Sequence, residues 1–350
     1  MGETMAKILS DWGYDTKNSV FVIAEIGINH NGSISKAMKM IDYAIESGCA
    51  AVKFQTFYLD EMLLKNTKLA NYQKKTGFQN MTDLLKKYNL SYESFKVIKK
   101  YCDKKKITFL STPFDEKSAI FLNKINIPAF KISSGDLDNF LLLSTIKKFK
   151  KPIILSTGMS VISEVKNTVK FLSLKKNELA ILHCISDYPT KVTDTQLANI
   201  LLLKKINYVV GFSDHTIGDN SSCVAVALGA NIIEKHITLD KNLPGPDHVC
   251  SLPCKDLRKF VENLNNVKTS VSNTLRKLTK QEEITKLIAR KSLYFRKDLN
   301  KNHKIKYDDL ISLRPFNNGI SPSMYKKIVN KKLSQKVKKY SKVKFSNIKN

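Results

Sequence analysis

Ser213 and His215 stand two residues apart at the end of one apolar run, and Glu234 and His236 repeat the spacing on the next. Residues i and i+2 of a strand share a face, so this pattern sets a hydroxyl, a carboxylate and two imidazoles at one mouth. Paired imidazoles with oxygen donors nearby suit Mn²⁺, Zn²⁺ or Fe²⁺, with positions left open for water and substrate. Lys53 and Gln55 form another such pair, inside Val-Lys-Phe-Gln, and Lys131 interrupts Phe-Lys-Ile. Two lysines converging with the hydroxyls of Ser134, Ser156 and Ser213 make a site for phosphate, or for phosphate and carboxylate together. Taken singly, each lysine reads equally well as a surface side chain. Lys131 also reads as the Schiff-base nucleophile of a barrel aldolase, but two histidines suited to a metal weigh against it. His30 in Asn-His-Asn-Gly and His183 in Leu-His-Cys are weaker ligands, expected as loop or core hydrogen-bonders. Asp247 and His248, in Pro-Gly-Pro-Asp-His, stand where they can complete the site or orient its ligands.

Such residues need a scaffold that gathers strand ends. The short apolar runs FVIAEIG, AAVKFQT, ITFLSTP, AFKISSG, PIILSTG, LAILHCI, YVVGFSD and NIIEKHI follow one another along the chain. Most are separated by amphipathic stretches such as DEKSAIFLNKIN and SEVKNTVKFLSL, read as helices. Eight such units predict a (β/α)8 TIM barrel; a doubly wound sheet is the rival, and no Gly-x-Gly-x-x-Gly turn supports it. The barrel requires its chemistry at the C-terminal strand ends. Glu25, Lys53 and Gln55, Thr112, Lys131 and Ser134, Ser156, Ser186, Ser213 and His215, and Glu234 and His236 meet that requirement strand by strand. The extra length between Gln55 and Ser91 predicts an insertion on the second βα loop, a usual place for a lid. A helix is expected from Asp256 to about Lys277, then a charged linker, TKQEEITKL. The partition is residues 1–280 for the barrel and 285–350 for a small β-rich second domain, too small to hold the main site alone.

The chain has 350 residues, 42% of them apolar, and a net charge of +28. The basic residues are mostly Lys and spread along the whole chain, with no Arg-rich arm or aromatic-studded basic stripe, so nucleic acid is not expected as a partner. Residues 1–15 contain no apolar core of signal-peptide length, and Ala6 stands where a myristoylation signal takes Ser or Thr. The longest apolar stretch, around CVAVALGANII, is too short to span a bilayer. Cys250 and Cys254 lack the second pair of a zinc site. A cytoplasmic, reduced protein with no membrane partner is expected.

AEIGINHNG, VKFQTF, FLSTPFD, FKISSGD, IILSTGMS, LHCISDYPT, GFSDHTIG and EKHITLDKNLPGPDH, in this order, closely resemble the sialic-acid (N-acetylneuraminate) synthase family. These enzymes condense phosphoenolpyruvate with an N-acetylated hexosamine to give a nine-carbon 2-keto acid. The tail segments ARKSLYF and LRPFNNGIS resemble the family's antifreeze-like (SAF) domain, so the resemblance covers residues 20–345. It implies a divalent metal, Mn²⁺ first, on His215 and His236, and phosphoenolpyruvate on Lys53, Gln55, Thr112, Lys131, Ser134, Ser156, Ser186 and Ser213. Glu25 and Glu234 become the candidates for moving the protons of water. Glu25, Tyr188 and Asp247 match positions near the sugar. Arg314 matches the arginine that one subunit's SAF domain offers to the acyl group in its partner's barrel, which implies a domain-swapped homodimer. N-acetylmannosamine is the first acceptor so implied; 2,4-diacetamido-trideoxyhexoses, leading to legionaminic or pseudaminic acid, are the alternative. Three positions depart from the family pattern. Asp136 stands where a Glu contacts sugar hydroxyls, Ser186 replaces an Asn found in some members, and Asn302 replaces a turn glycine.

Overall fold

A computed structural model describes residues 19–70, 73–206, 208–271 and 276–349. The expectations for residues 1–15 lie outside them. The chain divides into two compact units, residues 1–273 and 274–350.

The first unit is built on eight parallel strands, each within a residue or two of its apolar run at the leading end. They are β1 (Phe21–Gly27), β2 (Ala51–Thr56), β3 (Thr108–Pro113), β4 (Phe130–Ile132), β5 (Ile153–Ser156), β6 (Leu179–Cys184), β7 (Val209–Asp214) and β8 (Ile232–Thr238). Their order, β3-β2-β1-β8-β7-β6-β5-β4, brings the first strand beside the last and leaves only β3 and β4 unladdered. The result is a nearly closed (β/α)8 barrel.

The pleat sorts the side chains. Phe21, Ile23, Ala51, Leu110, Ala129, Ile154, Ala180, Leu182, Val209 and Ile232 fill the barrel interior as one apolar cluster. Gly211 is required within it, because a Cβ there would lie 2.4 Å from Leu182 Cδ2 and 2.5 Å from the Ile232 carbonyl. The alternate residues, among them Val22, Ala24, Val52, Phe54, Phe109 and Ile233, pack outward against the helices. One pleat further along the inward series come Glu25, Lys53, Thr112, Lys131, Ser156, Ser213 and Glu234, so the polar layer rests on an apolar plug.

The surrounding helices are α1 (Ile34–Glu46), α2 (Leu59–Met62), α3 (Met81–Tyr88), α4 (Tyr92–Lys105), α5 (Glu116–Lys124), α6 (Phe140–Lys148), α7 (Ile162–Leu172), α8 (Asn199–Lys204), α9 (Asn220–Ala227) and α10 (Leu257–Val271). Ser33, Asn80, Ser91, Asp115 and Asn139 cap five of them through side-chain oxygens, which satisfies backbone N–H groups that the first turn leaves free. The expected insertion after β2 contains α2 and α3. It closes its own small core, in which Phe57, Leu84, Leu85 and Tyr88 pack with Ile28. A short strand β9 (Leu252–Pro253) pairs with β8. The helix expected to run to Lys277 is described only to Val271.

The supposed charged linker is a helix, α11 (Lys280–Ala289), and it falls in the second unit. Thr279 Oγ1 accepts from the Glu282 N–H while the Glu282 carboxylate accepts from the Thr279 N–H. This is a reciprocal capping box, and its T-x-x-E pattern marks the start of a helix. The rest of the unit is a hairpin of β10 (Ser292–Phe295) and β11 (Leu310–Leu313) with isolated bridges and short turns. Leu293, Phe295, Leu299, Ile305, Leu333 and Val343 form its core.

Candidate active site

A cavity of about 440 Å³ opens at the C-terminal strand ends, and fourteen of the sixteen residues singled out in the sequence line it. Strands supply Glu25, Lys53, Gln55, Thr112, Lys131, Ser156, Ser213, Glu234 and His236, and the loops after them supply Ser134, Ser186, Tyr188, His215 and Asp247. Both lysines are buried, Lys53 at 4% and Lys131 at 2% exposure, which excludes the surface reading of each.

Their charges are held by a compact network. Lys53 Nζ lies 2.7 Å from Glu25 Oε2 and 3.8 Å from Glu234 Oε2, and donates to Thr112 Oγ1 at 3.2 Å. Lys131 Nζ donates to Ser156 Oγ at 2.6 Å and lies 3.6 Å from Glu234 Oε1, which also accepts from Ser213 Oγ at 2.8 Å. The two carboxyls therefore diverge. Burial opposes ionisation of Glu234, but Lys131, Lys53 and the Ser213 hydroxyl overcome it and hold the carboxyl below its usual range. Burial wins at Glu25, reinforced by Glu234, and raises it to about 7 against the pull of Lys53. One carboxylate is thus firmly ionised and the other is poised to exchange a proton near neutrality. Asp247 is also pushed up, to about 6, by burial, with His215 pulling the other way.

The rings of His215 and His236 lie 5.6 Å apart between centroids, and Tyr188 sits 4.0 Å from the His215 ring. His215 Nδ1 is 2.7 Å from the Ile185 carbonyl. Donation there leaves Nε2 with its lone pair, the arrangement usual for a ligating histidine. Nδ1 of His236 is buried with no hydrogen-bond partner among the described residues. Burial, with His215 and Lys53 nearby, holds its imidazole well below the ordinary value and hence neutral. Burial opposes a charge on His215, but Cys184 and the Ile185 carbonyl outweigh it and raise its imidazole above the ordinary value, so a divalent cation held by the two rings would have to displace the proton on Nε2 of His215. No cluster of three His, Cys, Asp or Glu side chains suited to a metal occurs among the described residues.

His30 and His183 play the bland parts expected of them. His30 Nδ1 accepts from the Gly32 N–H, and His183 Nε2 donates to the Thr195 carbonyl. His248 is a clamp: Nδ1 is 2.7 Å from Thr238 Oγ1 and Nε2 is 2.9 Å from Asn31 Oδ1. It straps the loop bearing Asp247 to the loop after β1.

Two expected residues fall elsewhere. Asp136 does not line the cavity; its oxygens accept from Ser133 Oγ at 2.5 Å and Asn139 Nδ2 at 3.0 Å, closing a local turn. One methylene shorter than Glu, it bonds within its own loop. Arg314 belongs to the second unit and is exposed just after β11. The sequence reading also missed contributors. Cys184, with Sγ 3.8 Å from His215 Nδ1, lines the cavity but reads as strand core. Gly158 donates its N–H to Ser134 Oγ at 2.9 Å, and a Cβ there would lie 2.3 Å from Ser186 Oγ and 2.8 Å from Ser134 Oγ. Ile28, Met62, Met81, Leu85 and Phe114 give the cavity an apolar wall, most of it from the insertion.

The profile of the NeuB family matches residues 40–276. The chain belongs to the NeuB family. Among relatives, it is 38% identical over 322 residues to the N,N'-diacetyllegionaminic acid synthase of Legionella pneumophila, covering 90% of each chain. It is 33% identical to a pseudaminic acid synthase of Campylobacter jejuni, covering 93% of this chain and 95% of the relative. The solved N-acetylneuraminic acid synthetase of Leptospira borgpetersenii superposes with a TM-score of 0.67 at 32% identity, over 77% of this chain and 90% of that one. All three are named as synthases or synthetases, of N,N'-diacetyllegionaminic, pseudaminic and N-acetylneuraminic acid.

Proposed function

We propose that this NeuB-family enzyme joins C3 of phosphoenolpyruvate to the aldehyde carbon of an open-chain N-acetylated hexosamine. Water is consumed, and a nine-carbon 2-keto acid and phosphate are formed. The observation that carries the reading is the convergence of two buried ammoniums, a row of hydroxyls and two imidazoles on one cavity. Lys53 and Lys131 supply charge for the phosphate and carboxylate, while Gln55, Thr112, Ser134, Ser156, Ser186 and Ser213 supply directed hydrogen bonds. Holding the alkene against the aldehyde is their main contribution to rate. A divalent cation on His215 and His236, for which Mn²⁺ is our first choice, supplies Lewis acidity toward the acceptor carbonyl. Glu25, near neutrality, takes a proton from the incoming water, and Glu234 stays ionised and favours the positive character that develops at C2. The phosphate then leaves with cleavage of its C–O bond.

Two acceptors compete. N-acetylmannosamine would give N-acetylneuraminate, and a 2,4-diacetamido-trideoxyhexose would give a legionaminic- or pseudaminic-type acid. The apolar wall favours the second, because deoxy carbons and acetamido methyls match Ile28, Met81 and Leu85 better than hydroxyls do. With Tyr188 and Asp247 beside the sugar, the remaining contact in our reading is Arg314. It comes from residues 285–350, read as an SAF domain, of a partner copy in a domain-swapped homodimer. Its exposure supports availability for such a contact. Six free cysteines agree with a reducing, cytoplasmic setting, and no helix among the described residues is long and apolar enough to cross a membrane. Comparing phosphate release with the two acceptors in the presence of Mn²⁺ tests the choice. Faster turnover of N-acetylmannosamine than of the diacetamido sugars would reverse the preference.

A further inference from the structure

Asp214 and Lys235 occupy the outward face of β7 and β8, in the otherwise apolar layer between barrel and helices. They are direct partners in the strand register, and both are 1% exposed. Lys235 Nζ donates to Asp214 Oδ2 at 2.8 Å and also to the Thr216 carbonyl. Asp214 Oδ1 accepts from the Thr216 N–H at 2.8 Å and from Thr216 Oγ1 at 2.7 Å, and Oδ2 accepts from Ser222 Oγ of α9 at 2.6 Å. Every acceptor position of the carboxylate nearest the chain is filled, and the ammonium is bonded on two sides.

The placement is informative. The ladder between β7 and β8 ends at Asp214 and Lys235, so His215 lies beyond it. The residues on either side of His215, Asp214 and Thr216, are both tied to Lys235. Lys235 in turn is flanked by Glu234 and His236. A buried ion pair is a weak source of stability compared with apolar side chains of the same volume, so its position calls for another account. We infer that Asp214 and Lys235 are positioning residues, a brace on the back of the sheet. It fixes the His215 backbone relative to Glu234 and His236, and with it the separation of the two imidazoles. The brace acts through the main chain and touches no substrate. The inference rests on the metal reading above.

The test uses the full chain. Asp214→Asn combined with Lys235→Met removes both charges together, so no uncompensated buried charge remains. Ser222→Ala removes a single bond of the network and serves as the mild variant should the double variant fail to fold. Mn²⁺ binding is followed by electron paramagnetic resonance, alongside melting curves, kcat and KM for phosphoenolpyruvate. A loss of Mn²⁺ affinity of about tenfold is expected in the double variant and a few-fold in Ser222→Ala. Lower kcat should accompany it, with KM for phosphoenolpyruvate changed less than kcat, because, of the proposed anion site, only Ser213 lies on the braced strands, while Lys53, Lys131 and Ser156 lie on others. A folded variant of either kind with parental Mn²⁺ affinity and kcat, and only a lower Tm, overturns the brace. If the parent itself takes up no Mn²⁺, the metal reading fails instead, and kcat against KM alone decides the brace.

Discussion

Glu25 Oε2 and Lys53 Nζ meet at 2.7 Å across the paired strands β1 and β2, both side chains buried. The other Glu25 oxygen, Oε1, has no hydrogen-bond partner among the described residues. Lys53 is thus the counter-ion of a catalytic candidate and part of the proposed anion site. An entering dianion competes with Glu25 for that ammonium and raises the proton affinity of the carboxylate, which strengthens it as the base for the incoming water and couples substrate binding to the proton inventory of the cavity.

That relationship has a consequence for stability. Because burial raises Glu25 to about 7, the folded protein holds its proton more tightly than the unfolded chain does. The associated stability is complete below the ordinary glutamate range and is lost as pH rises through about 7. It amounts to no more than about 3 kcal/mol. Glu234, held low, contributes in the opposite sense and loses its share as pH falls through the acid range. Glu25→Gln should therefore gain Tm relative to the parent between about pH 5 and pH 8, while turnover falls by about 10² or more. Melting curves at the two pH values check this; a constant Tm difference would show that Glu25 titrates normally.

Lys131→Met should raise KM for phosphoenolpyruvate by about ten- to a hundredfold, the worth of a charge-assisted bond. Borohydride added during turnover should trap no adduct on the parent. Steady-state kinetics and mass spectrometry read both, and a trapped adduct on Lys131 would restore the aldolase reading.

Gly158→Ala tests the hydroxyl cradle. The new methyl must displace Ser186 Oγ and Ser134 Oγ together, yet it sits in a loop at the cavity edge. A KM for phosphoenolpyruvate raised about tenfold is expected, with Tm shifted by only a few degrees. An unchanged KM would remove Ser134 and Ser186 from the anion site.

The barrel and most of the residues that line its cavity were legible because one period governs both. Inward residues of a strand alternate, so Phe21, Ile23 and Glu25 form one series that ends at the cavity. What was not legible depends on loops and on the outward face. Asp136 was placed by type, whereas its orientation is set by Ser133 and Asn139, which no periodicity reports. Gly158 and Cys184 look like a turn residue and a strand residue. The Asp214–Lys235 pair was hidden because a polar outward position normally signals solvent. TKQEEITKL predicts a linker because seven of its nine residues are polar or charged, whereas Lys280–Ala289 is a helix that opens on a capping box.

Coupled product formation is the most direct test of metal-dependent condensation at this cavity. Chelator-stripped protein, phosphoenolpyruvate and an N-acetylated hexosamine are mixed with and without Mn²⁺, and phosphate and 2-keto acid are measured together. Equal amounts of both, formed only when acceptor and metal are present and lost in His236→Ala, are predicted. Phosphate release without acceptor, or full turnover by the metal-free His236→Ala variant, would contradict it.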